Sequence, residues 1–241
     1  MANDGALYSA YTGAEYDRLQ PIKIEHYDYY HELALDFVPF DESDGFRMLD
    51  LGPGTSTFAE SILRQYPKAT IVALEYAQGM IDYSRERLSA FSDRIEFSRR
   101  DLNDGLPANI GRFEFVSAFS AIHHLTPENK QRLYRQIYDV LEPGGWFSLI
   151  DAMTARFDND VYALNVRRRK SRLEERYRSA GIEPEAVQRM DDAKTDLAQD
   201  APDLDRLSPF SDQIGWMKEA GFRSVDHIWH DWMEHFIICR R

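Results

Sequence analysis

Between residues 46 and 151 five short apolar runs recur, most of them separated by a helical stretch and little other chain. That rhythm limits the fold more than any single residue does, because strands joined through helices run parallel and a parallel sheet is buried on both faces. Strands are expected at 46–51, 70–74, 95–98, 113–119 and 146–151, the second of them the β-branched run TIVAL. Helices are expected at 58–66, 80–91 and 130–141. A doubly wound, mostly parallel α/β sheet follows, and the ligands of such sheets lie beyond the carboxyl ends of the strands.

Apolar residues at three- and four-residue spacing across 14–40 predict two helices ahead of the first strand, with Pro21 near a helix start or between the two. The rhythm breaks after residue 151. Residues 152–212 hold no convincing strand and divide into a basic run, RRRKSRLEERYR at 167–178, and an acidic run rich in Asp, which reads as an inserted helical cap. A helix over 214–220 stopped by Gly221 comes next, then strand-like runs at 225–229 and 235–239 that close as an antiparallel hairpin. The chain therefore divides into an N-terminal helical lid (1–45), a core (46–151), the cap (152–212) and a closing helix and hairpin (213–241).

Charge and cysteine content narrow the function. Lys and Arg number 29 against 41 Asp and Glu, a formal net charge of -12 that repels phosphate backbones and anionic lipid, so nucleic acid is a disfavoured partner. The lone Cys239 can make neither an internal disulfide nor a cysteine metal cluster and reads as a small core residue. There is no signal-peptide pattern and no apolar stretch near the roughly eighteen residues that span a bilayer, so a cytoplasmic protein without a membrane partner is expected.

The first strand delivers LDLGPGTS, where Gly52 and Gly54 let backbone approach a ligand closely ahead of the next helix. A dinucleotide fingerprint would want a third glycine at 57, where Thr57 stands. The second strand ends at Glu75, 23 residues beyond Gly52, where a carboxylate can accept both hydroxyls of a ribose. Together they predict an adenosine-containing ligand; the plainer alternative is a turn at Gly52 and a helix cap at Glu75.

The ordered series LDLGPGTS, ALEYAQGM, RRDLNDGLP, FEFVSAFSAIHHL and LEPGGWFSLID resembles the motifs of class I S-adenosylmethionine-dependent methyltransferases. The resemblance spans 46–151 and implies a seven-stranded sheet whose last strand is reversed, with S-adenosylmethionine as cofactor and S-adenosylhomocysteine as product. It implies that Gly52, Pro53 and Gly54 line the methionine moiety and that Glu75 holds the ribose. Tyr76 and Met80 would flank the adenine, Asp101 and the Leu102 amide would meet its edge, and Phe119 and Ser120 would face the amino end. Ser56 stands where the family loop usually carries glycine.

Beyond the loops, His123 and His124 follow the fourth strand, and either can serve as a proton acceptor near neutrality or as a hydrogen-bonded loop support; His124 is the candidate base. His227, His230 and His235 read as packing or solvated residues, and no metal is assigned. Six tyrosines fall in the first thirty residues; Tyr11 and Tyr16 are the expected lid over cofactor or substrate, while Tyr27 and Tyr30 have ordinary core spacing. The basic run reads as a solvated helix face from which one arginine, Arg167, turns inward to a substrate carboxylate. The expectation is methyl transfer to a small-molecule acceptor. A tRNA-modifying methyl or carboxymethyl transferase and a non-catalytic cofactor-binding module are the rivals, and a homodimer is left open.

Overall fold

The computed structural model, which describes residues 12–154, 159–183 and 205–241, gathers the alternating strands into one sheet. Its strands are β1 (Arg47–Leu51), β2 (Thr70–Glu75), β3 (Ile95–Arg99), β4 (Phe113–Phe119), β5 (Leu141–Ala152), β6 (Ser224–Asp231) and β7 (Glu234–Arg240). They lie in the order β3-β2-β1-β4-β5-β7-β6. The first five are mutually parallel, and β7 runs antiparallel to both neighbours. Chain order reverses between β1 and β4, which is where a doubly wound sheet opens a crevice at its carboxyl edge.

Helices α1 (Gly13–Lys23) and α2 (Tyr27–Asp36) precede the sheet, and α3 (Thr57–Gln65), α4 (Gln78–Arg87), α5 (Pro127–Val140), α6 (Asn159–Ser179) and α7 (Phe210–Ala220) follow in turn. Alternate residues of the central strands feed two cores: Leu49, Leu51, Val116 and Ala118 on one face, Met48 and Phe115 on the other. Each fully buried Leu or Phe contributes about 1.5–3 kcal/mol, so the central strands dominate stability.

Three expectations need correcting. Pro21 lies inside α1, near its end, where Ile24 N–H still bonds to Gln20 O, so the helix loses little there. Strand β5 begins at Leu141, paired with Phe113, and the register jumps before Phe115 pairs with Trp146, so Pro143-Gly144-Gly145 forms an irregularity within the strand. Helix α7 starts at Phe210 rather than 214 and ends as expected at Gly221, whose φ of 113° suits glycine.

The two ends of the insertion meet. Thr154 N–H bonds to Ser208 O at 3.0 Å and Phe210 N–H to Thr154 O at 2.9 Å. Beneath them the buried Lys130 ammonium donates to Arg206 O (2.5 Å) and Ser208 Oγ (2.9 Å), and burial pulls its pKa down to about 8. Helix α6 reaches back to the N-terminal helices, with Arg176 Nη2 donating to Pro21 O at 2.8 Å. No helix among the described residues is long and apolar enough to cross a membrane.

Cys239 is buried with Sγ 3.6 Å from Met217 Sδ, and burial pushes its thiol far above the ordinary value. It is expected to react with a thiol reagent at neutral pH only as the protein unfolds; stoichiometric labelling of the native protein would contradict this.

Candidate functional site

The chain leaves β1 through Gly52-Pro53-Gly54, with φ of 67° at Gly52 and 55° at Gly54. A Cβ on Gly52 would stand 2.5 Å from the Ala121 Cβ, so this loop and the turn after β4 touch where only glycine fits. At the tip of β2, Glu75 ties two loops together: Oε2 accepts from Gly54 N–H (3.1 Å) and Oε1 from Ala77 N–H (2.8 Å). Burial raises its pKa against the pull of these amide bonds. With the Tyr76 amide also bonding the carboxylate, one acceptor position remains for a further donor, so capping and ribose binding are compatible roles.

The non-glycine at position 56 is built in. Ser56 adopts φ 61°, its Oγ donates to Ser84 Oγ at 3.0 Å, and Ser84 Oγ donates to Gly54 O at 2.9 Å, which fastens the loop to α4. Helix α1 is fastened to the same loop: Asp17 accepts from Thr55 Oγ1 (2.5 Å), Arg87 Nη1 (2.9 Å) and Tyr83 OH (3.2 Å). The next side chain back, Tyr16, is thereby held over the crevice.

Two adjoining hollows result. The larger, of about 670 Å³ counting its mouth, is lined by Tyr16, Gly52, Gly54, Glu75, Tyr76, Met80, Asp101, Leu102, Ser120 and His124. The smaller, of about 450 Å³, shares Tyr16, Gly52, Gly54 and Ser120 and adds Pro53, Phe119, Tyr27, His31 and Asp50. Every residue expected at the cofactor therefore lines one hollow or both. Asp101 also accepts from Asn103 N–H at 2.8 Å, capping the short turn Leu102–Asp104.

Other expected residues are elsewhere. His123 lines neither hollow: its Nδ1 bonds Asp151 Oδ1 at 2.5 Å, and although burial pulls its pKa down, Asp151 outweighs it and the net direction is up. The His123 and His124 carbonyls accept from Arg206, through its N–H (2.8 Å) and its Nη1 (2.7 Å), so the turn also anchors the returning chain. The nearest Asp205 oxygen is 3.7 Å from His123 and 3.5 Å from His124. Tyr11 lies outside the described residues. Arg167 is exposed; it is Arg169, two positions on, that turns inward with a buried Nη1, because a helix rotates its side chains by some 100° per residue. His227, His230 and His235 stack at 5.0–5.4 Å with Phe210 beside them.

The smaller hollow holds residues the sequence reading did not single out. Asp50 is a lone carboxylate in a buried apolar strand; burial lifts its pKa to about 7 against the Ser117 Oγ hydrogen bond of 2.6 Å. An acid inside MLDL was the available signal. Burial holds His31 down at about 4, so it is neutral at pH 7. Its ring lies 5.9 Å from Phe119 and 4.7 Å from Tyr27, which burial raises to about 12. Tyr27 has ordinary core spacing and lines the hollow.

Residues 48–145, the span that carries these loops, match a family model described as a methyltransferase domain. Over this span the chain is similar to a methyltransferase domain, with S-adenosylmethionine as the cofactor. Its residues fit that cofactor: a glycine cradle that a Cβ would fill and a buried carboxylate with a spare acceptor position stand at the two strand tips. The chain is 31% identical over 142 residues to the biotin biosynthesis bifunctional protein BioHC of Teredinibacter turnerae, covering 56% of this chain and 24% of that one. It is 21% identical over 199 residues to the carboxy-S-adenosyl-L-methionine synthase of Nautilia profundicola, covering 81% of this chain and 77% of that one. Its fold is that of an O-methyltransferase family protein from Burkholderia thailandensis (TM-score 0.65, 17% identity, 99% of this chain and 60% of the other). It is also that of human N-acetylserotonin methyltransferase in complex with S-adenosylmethionine (TM-score 0.58, 17% identity, 100% and 60%). The chain thus spans about a quarter of the first relative and about three fifths of these structures.

Proposed function

We propose that the protein transfers a methyl group to a small-molecule acceptor, the reading best supported by the paired hollows that share Tyr16 and Ser120. Bound S-adenosylmethionine supplies a methyl group on a cationic sulfur, with a neutral thioether as leaving group. The larger hollow takes the nucleoside: Glu75 the ribose, Tyr76 and Met80 the adenine faces, Asp101 and Leu102 its edge. Gly52, Pro53, Gly54, Phe119 and Ser120 take the amino-acid end. Tyr16 covers the ligand, and the division into lid, core, cap and closing hairpin is part of the same reading. Alignment and exclusion of water carry most of the rate. A net charge of -12 supports a metabolite over nucleic acid.

His124 is the imidazole of the larger hollow and the candidate proton acceptor, with His123 holding the turn beneath it. His124→Ala is expected to lower turnover about a hundredfold with product affinity nearly unchanged; wild-type turnover would leave it a loop support. Glu75→Ala is expected to weaken S-adenosylhomocysteine binding by about 1.5–3 kcal/mol in calorimetry. Glu75→Gln is no mild substitute, because an amide NH2 must then face the Gly54 or the Ala77 N–H.

The deciding experiment follows S-adenosylhomocysteine release from S-adenosylmethionine against a metabolite panel and bulk tRNA. Turnover with a metabolite and no salt-sensitive tRNA binding is expected; the opposite pattern overturns the reading. The similarity to a carboxy-S-adenosyl-L-methionine synthase over most of both chains favours a second reading, in which the cofactor itself is modified. Mass spectrometry of the cofactor after turnover separates the two.

A further inference from the structure

Two imidazoles and a carboxylate converge at the turn after β4. Asp205 Oδ1 lies 3.7 Å from His123 Nε2 and 3.5 Å from His124 Nδ1, and the three ligand atoms all fall within 4.8 Å of one another. Among the described residues no other three His, Cys, Asp or Glu side chains bring such atoms together. Both separations exceed the ~2.9 Å of an ordinary N–H···O bond. They are close to the ~3.3 Å between two ligand atoms that bind one tetrahedral ion at about 2.0–2.1 Å each.

The surroundings hold these ligands in place. The fully buried Asp151 accepts from His123 Nδ1 through Oδ1 at 2.5 Å, which orients the ring and leaves Nε2 facing Asp205. A carboxylate behind the imidazole is the usual outer support of a metal-bound histidine. The His123 and His124 rings lie 4.0 Å apart and tilted by 51°, so two sequence neighbours present nitrogens to one oxygen. Asp205 arrives with the returning end of the insertion, and the next residue clamps it there. Arg206 N–H donates to His123 O at 2.8 Å, Arg206 Nη1 to His124 O at 2.7 Å, and Lys130 Nζ to Arg206 O at 2.5 Å. The Asp205 side chain is 44% exposed, which gives an ion a way in.

We propose that His123 Nε2, His124 Nδ1 and the Asp205 carboxylate form a binding site for one divalent transition-metal ion of the zinc class. Two imidazole nitrogens suit Zn²⁺ or Co²⁺ and are poor ligands for Mg²⁺ and Ca²⁺, which take oxygen. The ion displaces whatever proton either nitrogen carries. Three protein ligands leave a fourth position open, the composition of a site that acts on a bound molecule and not of one that only staples the fold. His124 lines the larger hollow, so that position is reached from there by water or by an oxygen of the methyl acceptor, which the ion would hold and polarise. An ion on His124 Nδ1 occupies the lone pair that would otherwise accept a proton, so the two roles exclude each other at that nitrogen. These consequences for the acceptor rest on the methyltransferase reading, whereas the site itself does not.

The test uses the full chain freed of metal by a chelator and titrated with Zn²⁺ in a calorimeter. Binding of one equivalent with a dissociation constant of about 1 μM or tighter is expected, and a roughly thousandfold excess of Mg²⁺ should not displace it. Asp205→Ala and His124→Gln should each weaken Zn²⁺ by at least about tenfold, while thermal melts of the same samples show that the variants fold. In Asp205→Cys, Co²⁺ should give a near-ultraviolet thiolate-to-metal charge-transfer band that the parent lacks, a signature that only direct coordination by residue 205 produces. The double variant His227→Gln with His230→Gln controls for the other histidine cluster, where His235 Nδ1 stands 3.1 Å from His227 Nε2, and it should bind Zn²⁺ as the parent does. Lack of saturable binding, displacement by Mg²⁺, undiminished affinity in Asp205→Ala and His124→Gln, a missing thiolate band, or loss of binding in the double variant would each overturn the proposal. Binding of S-adenosylhomocysteine is titrated separately; its failure sinks the methyltransferase reading and leaves the metal result standing, so the two failures are told apart.

Discussion

Gly52→Val is expected to lower S-adenosylhomocysteine affinity by at least about a hundredfold, the largest effect of any single change at the cleft. The Cβ would stand 2.5 Å from the Ala121 Cβ, and the backbone at φ 67° disfavours any β-branched residue. Relief requires the Gly52–Gly54 loop and the turn after β4 to part, which pulls Gly54 N–H from Glu75 Oε2 and opens both hollows at their shared edge. Gly54→Ala is the milder comparison, because a Cβ there meets only the Tyr16 ring, at 3.9 Å. Calorimetry of both variants checks the ranking. Near-parental affinity in Gly52→Val would mean that the cofactor does not use this loop.

His123→Ala is expected to cost about 3–5 kcal/mol of folding stability, more than any change on the cleft's surface. Asp151 is fully buried; its Oδ1 accepts from His123 Nδ1 at 2.5 Å, and its Oδ2 has no partner among the described residues. Without the imidazole a buried carboxylate keeps only the amide of Ala152, at 3.1 Å, as support. The pH dependence has a definite sign. The pKa of His123 is raised above its ordinary 6.5, so the charged pair contributes fully below that value and the contribution fades as pH rises through the folded-state pKa. The deficit of the variant, measured by urea denaturation, should therefore be largest near pH 6 and shrink toward pH 9. A deficit that grew with pH would show that the imidazole is neutral in the folded protein. His31, held near 4 by burial, works oppositely and costs stability as pH falls below 6.5 in parent and variant alike, so it cancels from the difference.

The strands and helices of the core were legible because local pattern and tertiary environment agree there. TIVAL is a strand by composition and is buried by two helical layers, and β4 occupies 113–119 as expected. The loops that line the cleft were legible for a similar reason: glycines and a carboxylate at strand ends have few other uses at that spacing. Agreement failed where long-range contacts outvoted local signals. Strand β5 reaches back to Leu141 because its backbone finds Phe113, a partner no local pattern reveals. Tyr27 and Tyr30 share the same helical face by spacing, yet one lines a hollow and the other packs on Trp229 from a distant strand.

What the amino-acid order determined alone was the sheet, its carboxyl-edge crevice and the chemistry of the two loops in it, since these depend on periodicity and on backbone freedom at Gly52. Only the tertiary structure decided the rest. Whether Arg167 or Arg169 faces inward depends on how α6 is rotated about its axis, and that is set by what it packs against, including the Arg176 bond to Pro21 O. Whether a histidine is held charged or neutral is likewise not a property of its sequence neighbours: His123 is raised by an aspartate 28 residues away, and His31 is lowered by burial against rings from α3 and β4. Solvation and charge act through space, so they become fixed only once the chain has closed on itself.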